Sequence, residues 1–474
     1  MVLVDRETRK GNQAMLDEQQ AHEIFRQIKK SASVDEVEVI FAATNSSLTR
    51  FANNTIHQNV AEVNAVASIR VAFDGKTARA TTNRFDPESL KRAVQSAESI
   101  ARVQEPNSDL LPLASAADGK LDRPLPNRWF VHTASITPAD RAEAVGQIVA
   151  VAKKNGLTTA GIYSSSESVE GIINSNGLSN FHRRTSAEVS ITMLADDSSG
   201  WQKSNSPNVK DVEHLRLAEV AAQKARDSRS PKELPPGKYT VVLEPAAVLD
   251  LVGFMFWDFG GMAILDQRSF LNNRIGTKLF GENVTITDDV YHPLQSGAPF
   301  DGEGVGRKRT TLVEKGTIKN LVYARGTAEK MRHSEYAGKV GQIEVTGHGF
   351  PLPNELGEAP MNVVFVNSAG EQTVEQMIVA TGRGILITRL WYIREVDPYE
   401  KILTGMTRDG TFLIENGKIK HGIRNFRFNQ SLIDLLSGVE AMGKPVRASG
   451  EESFDMVVPA MKVRDFNFTE VTKF

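Results

Sequence analysis

The first half of the chain repeats one order of predicted elements, and this duplication constrains its fold more than any other feature. In each copy an amphipathic helix leads into β-strand patterns and a second helix closes the unit, over about 12–104 and 135–226. The alternating segments align as Ala67-Ser68-Ile69 with Val189-Ser190-Ile191, an offset of 122 positions. An element order that returns at a fixed offset is the sequence signature of a duplicated unit. We therefore predict an N-terminal domain made of two related halves.

Local signals place helices and strands within each copy. Thr137-Pro138-Ala139-Asp140 combines an N-cap threonine, a proline at the first helical position and an acidic residue, which predicts a helix start. Asn155-Gly156 predicts the end of that helix. Alternation of apolar and polar residues predicts the strands. In chain order these are Glu36–Ala42, Leu48–His57, Val63–Phe73, Thr158–Tyr163, Val169–Asn174 and Ala187–Leu194.

Two breaks divide the chain. The irregular, proline-rich stretch Glu105–Asn127 separates the two copies, and the second break ends in Pro235-Pro236-Gly237, which cannot lie inside a helix or a central strand. Beyond it, an apolar helix at Ala246–Phe259 is followed mainly by short β patterns. The sequence therefore predicts an α+β fold. A duplicated N-terminal domain at 1–230 precedes a β-rich C-terminal domain at 231–474, which has hairpin signals at Lys315-Gly316 and Asn416-Gly417.

Composition excludes several classes of function. The chain has no cysteine, which rules out disulfides, thiolate catalysis and any zinc site with a Cys ligand. A formal net charge of −2 gives no indication of nucleic-acid binding. The N-terminus lacks a signal-peptide pattern, and the longest apolar run, near Leu249–Phe259, is too short and too often interrupted for a membrane span. We expect a cytoplasmic protein without a membrane segment.

Three segments carry a more specific signal: Arg50–Asn59, Pro299–Val305 with Arg309–Gly316, and Asp409–Ile419. In this order along the chain they resemble blocks of the TldD/PmbA peptidase family, whose members have been called modulators of DNA gyrase. The first block begins at Arg50-Phe51-Ala52-Asn53-Asn54 and runs to Asn59. The central block begins at Pro299-Phe300-Asp301-Gly302-Glu303 and includes Arg309–Gly316. The third block, Asp409–Ile419, completes a resemblance that covers most of the chain. The resemblance implies a peptidase-family fold with the family's motif helix at the start of the C-terminal domain.

Catalytic members of that family carry His-Glu-x-x-x-His on this helix and take a third zinc ligand from a Cys near the C-terminus. Two imidazoles and a thiolate hold zinc with one open position, and the Glu accepts a proton from the bound water. Here the register places Leu249 and Phe254 at the two histidine positions and Asp250 at the Glu position. Leucine and phenylalanine cannot ligate a metal, and the Cys is also missing. The resemblance therefore predicts that this chain has no metal site and no catalytic residue of its own.

This absence is the pattern of the family's PmbA (TldE) type. The resemblance implies a non-catalytic subunit of a metallopeptidase complex that processes unfolded or extended peptides. Zinc is then expected in a TldD-type partner, in a heterodimer, while a homodimer of this chain stays open; no membrane or nucleic-acid partner is expected. By family analogy, Asp301, Glu303 and Arg309 are candidates for the border of the peptide channel, although a structural salt-bridge role is at least as well supported.

Two other functions stay open on the residues alone. The chain could be a peptide-binding or scaffolding homo-oligomer without a protease partner. It could also be a hydrolase with a non-zinc site built around Asp250, although a structural hydrogen bond is the favoured role for that residue.

Histidines and glycines offer weaker signals. His292, His333, His348 and His421 are far apart in sequence, and most isolated histidines are surface or hydrogen-bonded core residues. The glycines of Gly302-Glu303-Gly304-Val305-Gly306 resemble a nucleotide-binding loop only superficially, because a strand pattern follows them where a helix is required. We expect a glycine-rich turn there.

Overall fold

The computed structural model describes residues 15–367 and 370–472, so residues 12–14 of the predicted first copy lie outside the described part. The fold is α+β, with a duplicated N-terminal half and a β-rich C-terminal half, as the sequence predicts. None of the helices in the described ranges is long and apolar enough to cross a membrane.

The helices are short to medium in length and most of them follow the predicted positions. Their bounds are α1 Glu18–Ser31, α2 Pro87–Arg102, α3 Val131–Ala134, α4 Pro138–Lys154, α5 His214–Asp227, α6 Pro245–Val252, α7 Gly261–Leu265, α8 Arg325–Arg332, α9 Val374–Val379 and α10 Leu432–Ser437. Two 3₁₀ helices lie at Val209–Asp211 and Gly253–Phe259.

The strands form three sheets. Their bounds are β1 Glu36–Ala52, β2 Thr55–Phe73, β3 Lys76–Thr82, β4 Thr158–Asn174, β5 Ser179–Leu194, β6 Ser199–Ser206, β7 Gly237–Leu243, β8 Val284–Asp288, β9 Thr310–Glu314, β10 Thr317–Ile318, β11 Val363–Asn367, β12 Arg383–Asp397, β13 Ile402–Glu415, β14 Lys418–Gly422, β15 Phe426–Ser431, β16 Val439–Met442, β17 Val446–Ala448, β18 Met456–Val458 and β19 Met461–Val471.

The two copies share one six-stranded antiparallel sheet with the strand order β3-β2-β1-β4-β5-β6. Val39 pairs with Ile69 in the first copy and Gly161 pairs with Ile191 in the second, so the offset of 122 holds in the strand register. At the centre Asn45 pairs with Glu167, and these residues are also 122 positions apart. Each copy therefore meets the equivalent strand of the other about a local two-fold axis.

The strands of this sheet are longer than predicted. The strand predicted over Leu48–His57 is wrong, because the chain turns at Asn53 and Asn54 and separates β1 from β2. Both asparagines have positive φ angles, 51° and 60°, a conformation that asparagine tolerates better than most residues. The turn places the first sequence block at the tip of a long β-hairpin.

The two faces of the sheet pack against different partners. One face is apolar and is covered by the four long N-terminal helices: α1 and α2 pack on Val39, Ile69 and neighbours, while α4 and α5 pack on Val189, Ile191 and neighbours. Residues of the opposite face, among them Arg79 and Lys203, contact the C-terminal half. The helices therefore form an outer layer, and the sheet lies between them and the rest of the molecule.

The C-terminal half contains the largest apolar core. A six-stranded sheet with the order β10-β9-β8-β11-β18-β17 and a seven-stranded sheet built around β7, β12, β13, β15 and β19 pack together with α6. The predicted turns are confirmed: Lys315-Gly316 joins β9 to β10 and Asn416-Gly417 joins β13 to β14. This core holds the motif helix α6 against strands of the C-terminal half, β7 and β12 among them.

Candidate functional site

The motif helix changes geometry in its middle. Pro245 occupies the first turn of α6, and the α-helix ends at Val252, after which Gly253–Phe259 form a 3₁₀ helix. The single helix predicted over Ala246–Phe259 is therefore wrong beyond Val252. A Cβ atom at Gly253 would lie 1.8 Å from Ser453 Oγ, so the chain is pressed against another segment at this point. The glycine permits this close approach.

The two residues predicted to stand at ligand positions are apolar and covered. Leu249 is fully buried in the main core, and Phe254 is half-buried at its edge. Gly450 lies directly against this helix, since a Cβ atom there would lie 2.6 Å from Leu249 Cδ2 and 2.1 Å from Asp250 Oδ1. The space in front of the motif is therefore filled by the segment Ser449–Asp455, which we name the cover loop.

The Asp250 side chain binds the cover loop by accepting hydrogen bonds from the backbone of the loop. Asp250 Oδ1 accepts hydrogen bonds from the Glu452 and Glu451 N–H groups, at 3.1 and 3.2 Å, and the side chain is completely buried. Burial raises the pKa of Asp250 to about 7, against the opposing effect of the two N–H donors. Asp250 Oδ2 is buried and has no hydrogen-bond partner among the described residues. These contacts are those of a residue that holds a loop in place.

The N-terminal sheet holds the cover loop from the other side. Lys203 Nζ, on β6, donates to the Gly450 carbonyl at 2.9 Å and lies 3.4 Å from a carboxylate oxygen of Glu188. The carboxylate of Glu452 accepts from the Tyr392 N–H at 2.6 Å and lies 3.7 Å from Arg394. Charged groups of both halves of the molecule therefore converge on this loop.

A buried arginine joins the two halves beside the loop. Arg389 forms an ion pair with Asp409, and its guanidinium lies 4.7 Å from the centre of the Trp201 ring. Asp409 also accepts a hydrogen bond from Ser199 Oγ. An arginine that stacks on an indole and pairs with a carboxylate uses both its planar face and its donors. This cluster fixes the second copy against the C-terminal half.

A polar cavity of about 440 Å³ lies between the second copy and the C-terminal half, at the end of the cover loop. Both halves contribute hydroxyl and amide groups, and Phe454 adds an aromatic surface. Its polar lining comprises Ser166, Ser168, Arg184, Thr185, Ser186, Gln295, Ser296, Asn362, Arg447 and Asp455.

The three residues proposed for the channel border lie in two environments. Asp301 and Glu303 are 4% and 3% exposed, and Asp301 accepts backbone hydrogen bonds from Glu303, Val305 and Gly349. Burial, and to a smaller extent the nearby charge of Asp301, raise the pKa of Glu303 to about 7. Arg309 is half-exposed and lies 3.4 Å from Asp289. The structure therefore brings Asp301 and Glu303 together in the interior and leaves Arg309 outside this pair; their role at a peptide channel stays a prediction.

The glycines between these residues form a turn, as expected. Gly304 has a φ of +82°, and Phe300 pairs with Gly306 as an antiparallel bridge. A Cβ atom at Gly306 would lie 2.2 Å from the Lys120 carbonyl oxygen, so the linker between the two copies packs directly on this turn.

The histidines make separate local contacts. His348 is fully buried between Asp288, at 3.0 Å, and Thr346, whereas His333 pairs with Glu329 on the surface of α8. Within residues 15–367 and 370–472, no three His, Cys, Asp or Glu side chains are grouped so that they could hold a metal ion. Zinc requires three or four nitrogen, sulfur or oxygen ligands, and the motif positions offer one buried carboxylate between a leucine and a phenylalanine. The residues present do not fit a zinc site.

Sequence reasoning missed the residues that surround the motif helix. Trp201, Lys203, Arg389 and Gly450 come from distant segments and belong to no recognisable spacing. A weak signal existed for the cover loop, because Gly450 precedes two acidic residues in a stretch with little strand character. Its contact with a helix 200 residues earlier in the sequence depends on the tertiary fold.

Comparisons with known proteins agree with this geometry. The chain matches three domain profiles of one metallopeptidase family, described as PmbA/TldA metallopeptidase domain 1 over 37–101, the central domain over 132–229 and the C-terminal domain over 236–470. A metalloprotease PmbA from Escherichia coli O157:H7 is 22% identical over 412 residues, which cover 83% of this chain and 84% of that protein.

Solved structures share the fold. TldE from Thermococcus kodakarensis superimposes with a TM-score of 0.83 at 20% identity and covers 95% of this chain and 100% of its own. A protein from Thermotoga maritima described as a putative modulator of a DNA gyrase gives a TM-score of 0.82 at 22% identity, with the same coverage.

Proposed function

This chain belongs to the PmbA/TldA metallopeptidase family, and we propose that within it the chain acts as a non-catalytic subunit. In this role it pairs with a zinc-bearing, TldD-type subunit, and the complex processes unfolded or extended peptides. The chain contributes the shape of the peptide path and the partner contributes the metal-bound water.

The observation that carries this proposal is the state of the motif helix. Its two ligand positions are Leu249 and Phe254, and the cover loop occupies the space in front of them through Gly450. A metal-bound water requires an open coordination position. Because the cover loop packs tightly on the motif helix, a structural role for this helix is better supported than a catalytic one.

The relatives support the division of roles. TldE from Thermococcus kodakarensis matches this chain over nearly its full length, and the curated relatives include several proteins named metalloproteases. A complex with a second, zinc-bearing family member explains how a chain without the zinc ligands can belong to a metallopeptidase family.

Extended peptides fit the available surfaces. A peptide backbone binds to free strand edges with little sequence preference, and polar cavities accept its side chains and carbonyl groups. The polar cavity between the second copy and the C-terminal half offers such a place beside the cover loop.

Reconstitution tests the proposal. This chain and the His-Glu-x-x-x-His homologue from the same organism are purified separately, then mixed and assayed with an unfolded, fluorescently labelled casein. We expect cleavage only in the mixture. We also expect zinc, measured by mass spectrometry, in the homologue and not in this chain.

Two controls separate the alternatives. Replacing the motif Glu of the homologue should abolish cleavage, whereas Asp250→Ala in this chain should reduce activity only as far as it loosens the cover loop. Cleavage by this chain alone in the presence of a chelator, lost in Asp250→Ala, would instead identify a non-zinc hydrolase. A stable homo-oligomer that binds casein and ignores the homologue would identify a scaffold.

A further inference from the structure

The two copies differ at one place where their backbones are equivalent. β3 pairs with β2 only from Ala67 onward, and β6 pairs with β5 only from Ala187 onward. The preceding parts of β2 and β5 therefore extend past their outer neighbours in both copies. These extensions are 57–66 in the first copy and 179–186 in the second, and we name them the first and second outer edges.

The second outer edge is covered by other parts of the chain. The Thr185 N–H donates to the Arg128 carbonyl at 2.9 Å, and the Phe130 N–H donates to Thr185 Oγ1 at 3.0 Å. Asn180 Nδ2 donates to the Gly119 and Gly304 carbonyls at 2.9 and 3.0 Å. The segment that follows the linker thus lies against this edge at Thr185 and accepts its outward N–H.

The first outer edge is open. Val63 is equivalent to Thr185 by the offset of 122; it is 40% exposed, whereas Thr185 is 1% exposed. Nearly every side chain from His57 to Asn64 is exposed. In the described part of the chain, β2 pairs only with β1 and β3, and β3 ends its pairing at Ala67. The outward backbone groups of the first outer edge therefore face solvent.

The sequence of this edge does nothing to prevent pairing. Exposed edge strands are commonly protected by lysines, prolines or bulges on the outer side. The segment Thr55–Val66 contains no lysine, arginine or proline, and its one acidic residue is Glu62. Its one register shift lies against Arg50 and Phe51, at the hairpin tip. An unprotected edge of this length is suited to accept another strand.

A groove lies where an added strand would meet β3. It has a volume of about 800 Å³ and is formed by α1, the end of the first outer edge and the segment after β3. Its apolar lining consists of Leu16, Ile24, Val63, Ala65 and Phe85. Recognition by strand addition combines main-chain hydrogen bonds with pockets for alternate side chains.

We propose that the first outer edge is a docking strand for an extended polypeptide segment, with one apolar side chain of that segment in the adjacent groove. The contact of Arg128 and Phe130 with Thr185 supports this inference, because it is another backbone segment held at the equivalent position of the second outer edge. The inference deepens the proposed function by giving the chain its own place to hold a peptide, remote from the motif helix.

A binding assay on the isolated full chain tests the inference. The probe is a fluorescein-labelled peptide of about ten residues, long enough for one strand, with alternating valine and threonine, terminal leucine and added lysine for solubility. Fluorescence anisotropy gives the dissociation constant. The matched control peptide carries N-methyl groups at alternate residues, which remove the N–H groups on one edge and leave the side chains in place.

Val63→Pro removes the backbone N–H of residue 63. The N–H of the equivalent residue, Thr185, points away from the sheet, so this substitution removes one donor from the outer side of the edge. We expect this variant to raise the dissociation constant at least tenfold, and Val63→Thr, which keeps the N–H, to change it less than twofold. If Val63→Pro does not fold, Val63→Lys provides the second variant, because a lysine on an edge opposes strand addition.

Three results would overturn the inference. The unmodified peptide could fail to bind at millimolar concentration, or N-methylation and Val63→Pro could leave its binding unchanged. In the third, the edge is occupied by a second copy, seen as a concentration-dependent dimer that Val63→Pro dissociates. The assay contains no partner and no zinc, so the two proposals can fail separately. If the peptide binds and reconstitution fails, only the proposed function is rejected. If reconstitution succeeds and the peptide does not bind, only this inference is rejected.

Discussion

The two copies of the N-terminal half contact the C-terminal half at equivalent positions with opposite chemistry. Arg79 pairs with Arg70 in the first copy, and Trp201 pairs with the equivalent Thr192 in the second. Arg79 donates through Nε to the Leu352 carbonyl at 2.8 Å, whereas Trp201 receives the guanidinium of Arg389 on its ring. One copy extends an arginine into the C-terminal half and the other accepts an arginine from it.

This difference shows what duplication preserves. Strand register, helix order and the face of the sheet that the helices cover are the same in both copies, because they follow from the local pattern of apolar residues. Contacts across the back of the sheet are not shared, since each copy meets a different part of the C-terminal half. The second copy contacts the cover loop and the polar cavity, and the first copy keeps an open edge.

The largest expected effect concerns the buried charges of the first copy. Glu38 is 1% exposed; it lies 2.6 Å from Arg79 and 3.7 Å from the buried Arg70. Glu38→Gln removes the carboxylate that forms ion pairs with both guanidinium groups, and breaking a buried pair costs about 3–5 kcal/mol. Urea unfolding followed by circular dichroism measures this loss.

Glu62→Gln is the matched control, because Glu62 lies on the same hairpin with an exposed side chain. We expect a change below about 0.5 kcal/mol there. Equal effects of the two substitutions would show that the arginines of the first copy are held by other contacts.

The second prediction compares the outer edges directly. Thr185→Pro removes the backbone hydrogen bond to the Arg128 carbonyl. It also removes the hydroxyl's bonds with the Phe130 N–H and the Pro207 carbonyl. We expect a loss of about 3 kcal/mol from these buried bonds. Val63→Pro at the equivalent position should cost less than about 1 kcal/mol, because its outward N–H faces solvent.

Thermal unfolding of both proline variants decides this comparison. A large loss in Val63→Pro would mean that the first outer edge is already paired. Thr185→Ala, which keeps the backbone donor, should fall between the two proline variants, since it removes only the hydroxyl bonds.

The third prediction concerns pH and the hold of Asp250 on the cover loop. Its pKa is near 4 in the unfolded chain and is raised to about 7 by burial in the folded protein. Between these values the folded state binds the extra proton, so the free energy of unfolding falls as pH rises, by up to about 1.4 kcal/mol per pH unit. Asp250→Asn should remove this slope and keep an oxygen acceptor for the loop.

Glu303 and Glu358 also have pKa values raised to about 7 by burial, so the measurement is a difference between proteins. Unfolding curves of the wild type and of Asp250→Asn are compared from pH 4.5 to 7.5. Parallel pH profiles would show that Asp250 ionises in the folded protein much as it does in the unfolded chain.

Sequence analysis predicted the duplication and the hairpin turns of the C-terminal half because these features depend on neighbours in the chain. It divided β1 and β4, however, where hydroxyl-bearing residues such as Ser46 and Ser166 interrupt the apolar alternation. These two residues pair with each other at the local two-fold axis. The pattern is lost there because the residues at the centre of the sheet do not belong to an apolar core.

The candidate site was predicted only in part for a similar reason. The sequence predicted a helix that begins near Pro245, and the assignment of Leu249, Asp250 and Phe254 to the motif positions stays a prediction. The cover loop meets this helix, and Arg389 and Trp201 pack together beside the loop, through contacts between residues far apart in the chain. Ser453 packs directly on Gly253, and the sequence does not identify this distant partner.

The smallest expected effect tests whether the second copy alone holds the cover loop. Lys203 and Thr81 are equivalent, since they pair with Ser190 and Ser68, which are 122 positions apart. Lys203→Met removes the bond to the Gly450 carbonyl and should cost about 1 kcal/mol, with faster amide hydrogen exchange at Glu451 and Glu452. Thr81→Met lies on the open side of the first copy and should leave exchange in the cover loop unchanged. Faster exchange in both variants would mean that the loop responds to the sheet as a whole, and the two copies would then share the support of the motif helix.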